Sequence, residues 1–265
     1  MNVRQPHDTM LCRGQDAPII AGSGSDCYQE TWFRKWPSLA EEFLDRHQRP
    51  LVTVSYAQSV DGSIASRNRE QLQLSSHPSM VLTHRIRAAC DAIVIGINTL
   101  LVDNPLLTVR LAQGVSPQPI VLDTNLRIPL QARLLDRTDH RCWLACADNS
   151  DSERVGAVEG RGAEVIRCRR DRQGRVDLPD LLRLLGERGI RSIMVEGGSQ
   201  TISSFIEARL VDQMVITIAP RLVGGLQVLD RPAAINGSSL RLDSVTYQPC
   251  GPDIILWAQP QWHGA

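Results

Sequence analysis

One acid, two glycines and a run of hydroxyl and amide side chains stand in line at Glu196, Gly197, Gly198, Ser199, Gln200 and Thr201. The apolar run 191–195 precedes them, and a helix-like stretch from Thr201 to Leu210 follows. Such a turn can offer backbone N–H groups and the positive end of a helix dipole to a phosphate. Gly197 and Gly198 remove the Cβ atoms that would block close approach, and Ser199 and Thr201 add hydroxyl donors. A pair of glycines after a strand is, taken alone, most often just a turn. Glu196 caps the next helix on one account and meets a sugar hydroxyl or a ring N–H on another.

Other groups fit the same crevice. Asp103-Asn104-Pro105 follows an apolar strand and reads as a turn on its own. Arg87 and Arg110 are ordinary surface arginines one by one, but together they suit a phosphorylated substrate through bidentate pairing. His84 is equally suited to structure and to function. No GxGxxG, Walker loop, HExxH or His/Cys cluster is present, so the standard nucleotide fingerprints and metal hydrolysis find no support. Few acid–base groups beside a phosphate cradle point to a cofactor that carries the difficult step.

The elements that must position these groups follow an α/β pattern. "LVTVSYAQSV", "DAIVIG", "PIVLD", "RCWLACA", "AEVIRC" and "RSIMVE" read as strands, with helices expected over Ser76–Ala89 and Leu178–Arg188. Beyond Ala208, "VDQMVITIAP", "LRLDSVTYQP" and "PDIILWAQP" form a set whose last two members have no helix between them. A mixed, mostly parallel sheet flanked by helices is the expected fold, with the crevice beyond the strands' carboxyl ends. Residues 49–260 form the expected domain. Residues 1–48 are expected to be an arm, partly disordered, with a short helix near 37–47 begun by Pro37 and packed through Trp32, Phe33 and Trp36.

The 265-residue chain has 29 basic and 29 acidic residues, which gives no footprint for nucleic acid or an anionic membrane. Its seven cysteines lack a CxxC pair, so reduced thiols, no metal and a cytoplasmic location are expected. No apolar run approaches the ~20 residues of a membrane helix.

Several stretches become specific in combination: "VTVSYAQSVDGSIA", "LSSHPSMVLTHRIRAACDAIVIGINTLLVDNPLLTVR", "PIVLDTNLRIP", "IMVEGGSQTISSFIEARLVDQMVITIAPRLVGG" and "GPDII". In this order they resemble the pyrimidine reductases of riboflavin biosynthesis, over about residues 50–258. The resemblance implies a three-layer fold similar to dihydrofolate reductase. It implies NADPH-dependent reduction of a ribosylaminopyrimidine 5′-phosphate to the ribitylamino product, with hydride delivered to the sugar C1′. Carried over by position, NADPH contacts fall on Ala57, Thr99, Asp103, Thr124, Gly197 and Gly198, and on Ser199, Gln200, Thr201, Ile202, Ser203 and Ser204. Substrate contacts fall on Arg87, Leu107, Arg110 and Glu196, with Glu196 at the point of hydride transfer. A homodimer is implied as well, and "VITIAP" is expected to offer an apolar strand edge for it.

This chain departs from the two-domain bacterial type at Ser55, where Lys is frequent, and at Gln71 and Gln73. The wording "SYAQSVDG" is closer to the single-domain type, which reduces the pyrimidine before deamination. Neither HxE nor PCxxC of a zinc deaminase occurs. No clear clamp for a 2′-phosphate stands out, Arg127 being the one candidate. The competing expectations are a reductase of the same fold acting on a dihydrofolate-like or other heterocycle, and a non-catalytic ligand-binding relative.

Overall fold

Alternation of apolar residues along the strands loads both faces of one sheet. Val52, Val54, Val94, Ile193 and Val195 join one buried cluster, while Leu51, Ile93, Ile95 and Met194 face the other side. A sheet apolar on both faces must be covered on both. The computed structural model, which describes residues 26–68, 72–229 and 240–262, has that arrangement. Gln71 and residues 1–25 lie outside the described residues.

The chain runs through α1 (Asp26–His47), β1 (Leu51–Ser59), β2 (Ser63–Ala65), α2 (His77–Ala89), β3 (Ala92–Gly96) and α3 (Ile97–Asp103). It continues with β4 (Gln118–Leu122), β5 (Trp143–Ala147), α4 (Ser152–Glu159), β6 (Glu164–Cys168), α5 (Leu178–Glu187), β7 (Ser192–Gly197) and α6 (Ser199–Glu207). The last elements are β8 (Gln213–Ala219), β9 (Leu226–Gln227), β10 (Arg241–Cys250) and β11 (Asp253–Gln261). Nine strands form one sheet in the order β10-β11-β8-β1-β7-β3-β4-β5-β6. The run from β8 to β6 is parallel, and β10 and β11 add an antiparallel hairpin beside β8. Helices α5 and α6 pack on one face, and α1 to α4 pack on the other. The expected mixed, mostly parallel, three-layer architecture is therefore present.

Two local expectations differ. The helix expected near 37–47 starts at Asp26, and Pro37 lies inside it. An interior proline costs ~3 kcal/mol. Burial of Trp36 in the cluster with Trp257, Leu82 and Ile86 returns about 1.5–3 kcal/mol, and Trp32, Phe33 and Phe43 pack against the same cluster. Tertiary burial offsets the broken ladder. Secondly, "VITIAP" is not an edge. β8 pairs with β1 on one side and β11 on the other, so it offers no free edge for a second subunit.

Among the described residues, no helix is long and apolar enough to cross a membrane. Cys90, Cys142, Cys146, Cys168 and Cys250 are free thiols.

Candidate functional site

β7 carries the acid to its place. Val94 pairs with Val195, but the next residue of β3, Ile95, pairs with Gly197, so Glu196 is an extra residue in a bulge. Bulges re-aim side chains beside active sites. Here the carboxylate meets Arg87 from the last turn of α2. Arg87 Nε donates to Glu196 Oε1 at 2.5 Å and Nη2 to Oε2 at 2.6 Å, while Nη1 donates to the Thr108 carbonyl at 3.1 Å. Both side chains are only 14% exposed, so little solvent weakens the pair. Burial pulls the Arg87 pKa down, but attraction to Glu196 and its hydrogen bonds outweigh that and raise it.

α2 itself is pinned at its start. Asp253 Oδ2 accepts from the Ser76 N–H at 2.8 Å and from the Ser79 hydroxyl at 2.6 Å, tying the helix to β11. Three residues before Arg87 on the same helix face, buried His84 accepts the Arg110 N–H on Nδ1 at 3.0 Å. Burial, reinforced by the charges of Arg87 and Arg110, lowers the His84 pKa to about 4, so the imidazole is neutral near pH 7. The Arg110 side chain is exposed, and its Nη1 donates to the Thr108 hydroxyl at 2.8 Å. Leu107 is buried in the loop between, with φ of 53°, a costly conformation for a branched residue. Arg87 and Glu196 thus pair directly and His84 ties the Arg110 backbone to the same helix, whereas Leu107 belongs to a core cluster with Ile97 and Leu100.

On the other side of the strand-to-helix joint lies a cavity of about 650 Å³, within the range of small-molecule sites. Thr99, Thr124, Gly198, Gln200, Thr201 and Ser204 all line it. Gly198 has φ of 67° and ψ of 139°, and a Cβ there would sit 2.8 Å from Thr99 Oγ1. Only glycine holds this position without strain. The first N–H groups of α6 have no intrahelical acceptor, and their N-cap is Gly198, which has no side chain. Such a start suits a phosphate group.

The remaining expected contacts lie off the cavity. Ile202 is core, and the Ser203 hydroxyl donates to the Val228 carbonyl. Ala57 pairs with Thr217 along β1, outside the cavity lining. Gly197 and Ser199 flank Gly198 without lining the cavity either. Asp103 ends α3, half-buried, with burial raising its pKa.

Three supporting residues escaped the sequence reading. Asp61 grips the 223–224 backbone through Oδ1 to the Val223 N–H at 3.0 Å and Oδ2 to the Gly224 N–H at 2.6 Å. Its pKa is pulled far below the ordinary value, chiefly by the Ser59 hydroxyl and then by these two N–H groups. Asp123, fully buried, accepts the Ile128 N–H at 2.8 Å and so shapes the loop that carries Thr124; burial pushes its pKa up. Arg175 enters the cavity from the turn before α5. Only Asp61-Gly62 left a trace in the sequence, and that trace was a turn signal.

A parallel sheet, a glycine-opened helix over a cavity, and a paired acid and guanidinium at the same strand end define an α/β protein with a ligand crevice at a strand-to-helix joint. The chain belongs to the family described as the RibD C-terminal domain, whose model matches residues 50–256. It is 38% identical over 201 residues to the 2,5-diamino-6-ribosylamino-4(3H)-pyrimidinone 5′-phosphate reductase of Archaeoglobus fulgidus, covering 72% of this chain and 88% of that one. It is 31% identical over 220 residues to the riboflavin biosynthesis protein RibD of Actinobacillus pleuropneumoniae, covering 79% of this chain but 58% of that protein. Among solved structures, Acinetobacter baumannii RibD superposes with a TM-score of 0.73 at 21% identity, over 85% of this chain and 62% of that one. The chain therefore spans well under two thirds of some relatives it matches.

Proposed function

We propose that this protein is an NADPH-dependent reductase of the 5′-phosphorylated ribosylaminopyrimidine of riboflavin biosynthesis, 2,5-diamino-6-ribosylamino-4(3H)-pyrimidinone 5′-phosphate. The observation that carries the proposal is the joint at Glu196–Gly198. It sets a guanidinium–carboxylate cluster on one side and a dinucleotide-sized cavity on the other, two residues apart, which is at most about 8 Å of chain. The diamino form is favoured because the Archaeoglobus reductase bearing that name is 38% identical and matched over 88% of its length.

Thr99, Thr124, Thr201 and the N–H groups at the start of α6 hold the dinucleotide. The nicotinamide, when bound, supplies a hydride for the sugar C1′. Arg110 binds the 5′-phosphate, since its guanidinium is exposed and its side-chain contact is to the neutral Thr108 hydroxyl. Arg87 is already engaged by Glu196, so its task is to hold that carboxylate toward the sugar. Buried Leu107 walls the pyrimidine side. The protein acts inside the cell beside its soluble substrate, and as a homodimer. Support for the dimer moves from β8 to the exposed apolar residues of β10 and β11, where Tyr247 is 66% exposed.

The test is turnover of purified protein with NADPH, read as loss of reduced-nicotinamide absorbance. The diamino pyrimidine phosphate should be the best substrate, ahead of its deaminated counterpart and of dihydrofolate. Faster turnover of an unphosphorylated heterocycle would overturn the proposal.

A further inference from the structure

Between α3 and β4 the chain reaches Arg110 through residues 104–110, a stretch with no helix or strand of its own. It enters the left-handed region twice, at Asn104 with φ of 40° and at buried Leu107 with φ of 53°. Such conformations persist only where the surroundings over-determine them. Here the surroundings are side chains from outside the stretch. The Leu106 carbonyl accepts from Arg137 Nη1 at 3.3 Å, and the Thr108 carbonyl accepts from Arg87 Nη1 at 3.1 Å. The Val109 N–H donates to Ser116 Oγ at 3.1 Å, and the Arg110 N–H donates to His84 Nδ1 at 3.0 Å. Leu107 therefore lies between two carbonyls, each fixed by a guanidinium.

Of these two guanidiniums, only that of Arg87 already has work at the site. Arg137 follows the 3-10 turn Arg133–Asp136, and its side chain is only 3% exposed. Its Nε and Nη2 donate to the two carboxylate oxygens of Asp139 at 2.8 Å and 2.6 Å. Those hydrogen bonds hold the Asp139 pKa down to about 2, so the pair is ionised near pH 7. Asp139 is itself exposed, and a pair with an exposed partner adds little stability. What the pairing achieves is orientation: it fixes the planar fork so that Nη1 faces the Leu106 carbonyl. Resting on the assignment of Arg110 to the 5′-phosphate, we propose that Arg137 is a positioning residue of the pyrimidine phosphate site. It acts through the Leu106 carbonyl, sets the strained turn at Leu107, and so fixes where Arg110 presents its guanidinium. Asp139 is its anchor.

The probe is ribose 5-phosphate, which carries the sugar phosphate without the pyrimidine, titrated calorimetrically into the full chain beside steady-state turnover of the pyrimidine phosphate. Arg137→Met keeps an apolar stem and removes the donors. It should weaken ribose 5-phosphate about 5- to 10-fold, the contribution of one hydrogen bond, and raise KM for the pyrimidine phosphate by the same factor. Both kcat and KM for NADPH should stay within about twofold. In an Arg110→Ala background the same change should add less than about twofold to KM, because the group it positions is gone. Asp139→Asn leaves Arg137 and loosens its anchor, so it is the milder variant and should show the same pattern at about two- to threefold. Arg161→Met removes comparable bonds, to Asp136 and the Leu130 carbonyl, and should change none of these values. Melting of the unliganded variants checks that each folds. An unchanged affinity for ribose 5-phosphate, a KM penalty equal in both backgrounds, or an equal loss in Arg161→Met would overturn the positioning. Pyrimidine turnover with an affinity indifferent to Arg137 removes the positioning and spares the reductase. An Arg137-dependent affinity without pyrimidine turnover does the reverse.

Discussion

At the scale of single residues, Arg87 and Arg110 are the same type with different work. Arg87 spends three donors on Glu196 and the Thr108 carbonyl, whereas Arg110 makes one side-chain contact to a hydroxyl. Arg110→Ala should therefore raise KM for the phosphorylated pyrimidine about 10- to 100-fold, with KM for NADPH unchanged, in steady-state kinetics. Arg87→Ala should lower kcat as well, because it strands a poorly solvated carboxylate. His84 links the two arginines and supplies a pH dependence. Its folded pKa is about 4 against an ordinary 6.5. Above pH 6.5 the imidazole is neutral in both states and adds no pH dependence. As pH falls from 6.5 toward 4 the unfolded chain takes up a proton that the folded chain refuses, so stability falls across that window. A protonated ring would also set an N–H against the Arg110 N–H it now accepts. Urea unfolding at pH 7 and pH 5 should show a smaller loss for His84→Asn, which keeps an acceptor but cannot titrate. An equal loss would acquit His84.

Among elements, the joint between β7 and α6 converts a sheet register into a site. The bulge at Glu196 and the positive φ of Gly198 turn the chain so that the acid meets Arg87 while the helix start lines the cavity. Gly198→Ala places a Cβ against Thr99 Oγ1 in a conformation only glycine tolerates. It should cost about 1–3 kcal/mol of stability and weaken NADPH at least about tenfold, read by melting and by cofactor titration. The nine strands of the main sheet were readable from sequence because alternating β-branched runs bounded by glycine leave little ambiguity, whereas the two- and three-residue strands β9 and β2 were not, and α2, α5 and α6 were readable from helical spacing. α3 and α4 were not. "INTLLVD" is one short helix followed by a turn signal at Asp103-Asn104-Pro105, and "SERVGAVE" carries an interior glycine that weakens the helical pattern. The bulge left no mark at all, since register belongs to pairing across 100 residues of sequence. Pro37 misled for a related reason, because burial of Trp36 against Trp257 is invisible locally.

For the whole molecule, the cavity wall is assembled from β3, β4, α3, the turn before α5 and the start of α6, elements far apart in sequence. The glycine loop was visible because its residues are contiguous. Arg175 was not, because only the folded sheet brings the turn before α5 over Thr124. A cavity built from so many elements forms only when the parallel sheet is complete, so a ligand that fills it binds the folded chain and not the unfolded one. NADPH at about 100 times its dissociation constant should then add ~2.7 kcal/mol to unfolding. For a domain of this size that is a rise of roughly 5–10 °C in Tm. Gly198→Ala should shrink the rise with either nicotinamide dinucleotide, NADPH or NADH, because the helix start serves the part the two nucleotides share. A wild-type melting curve indifferent to both nucleotides would remove the dinucleotide assignment, and with it the reductase.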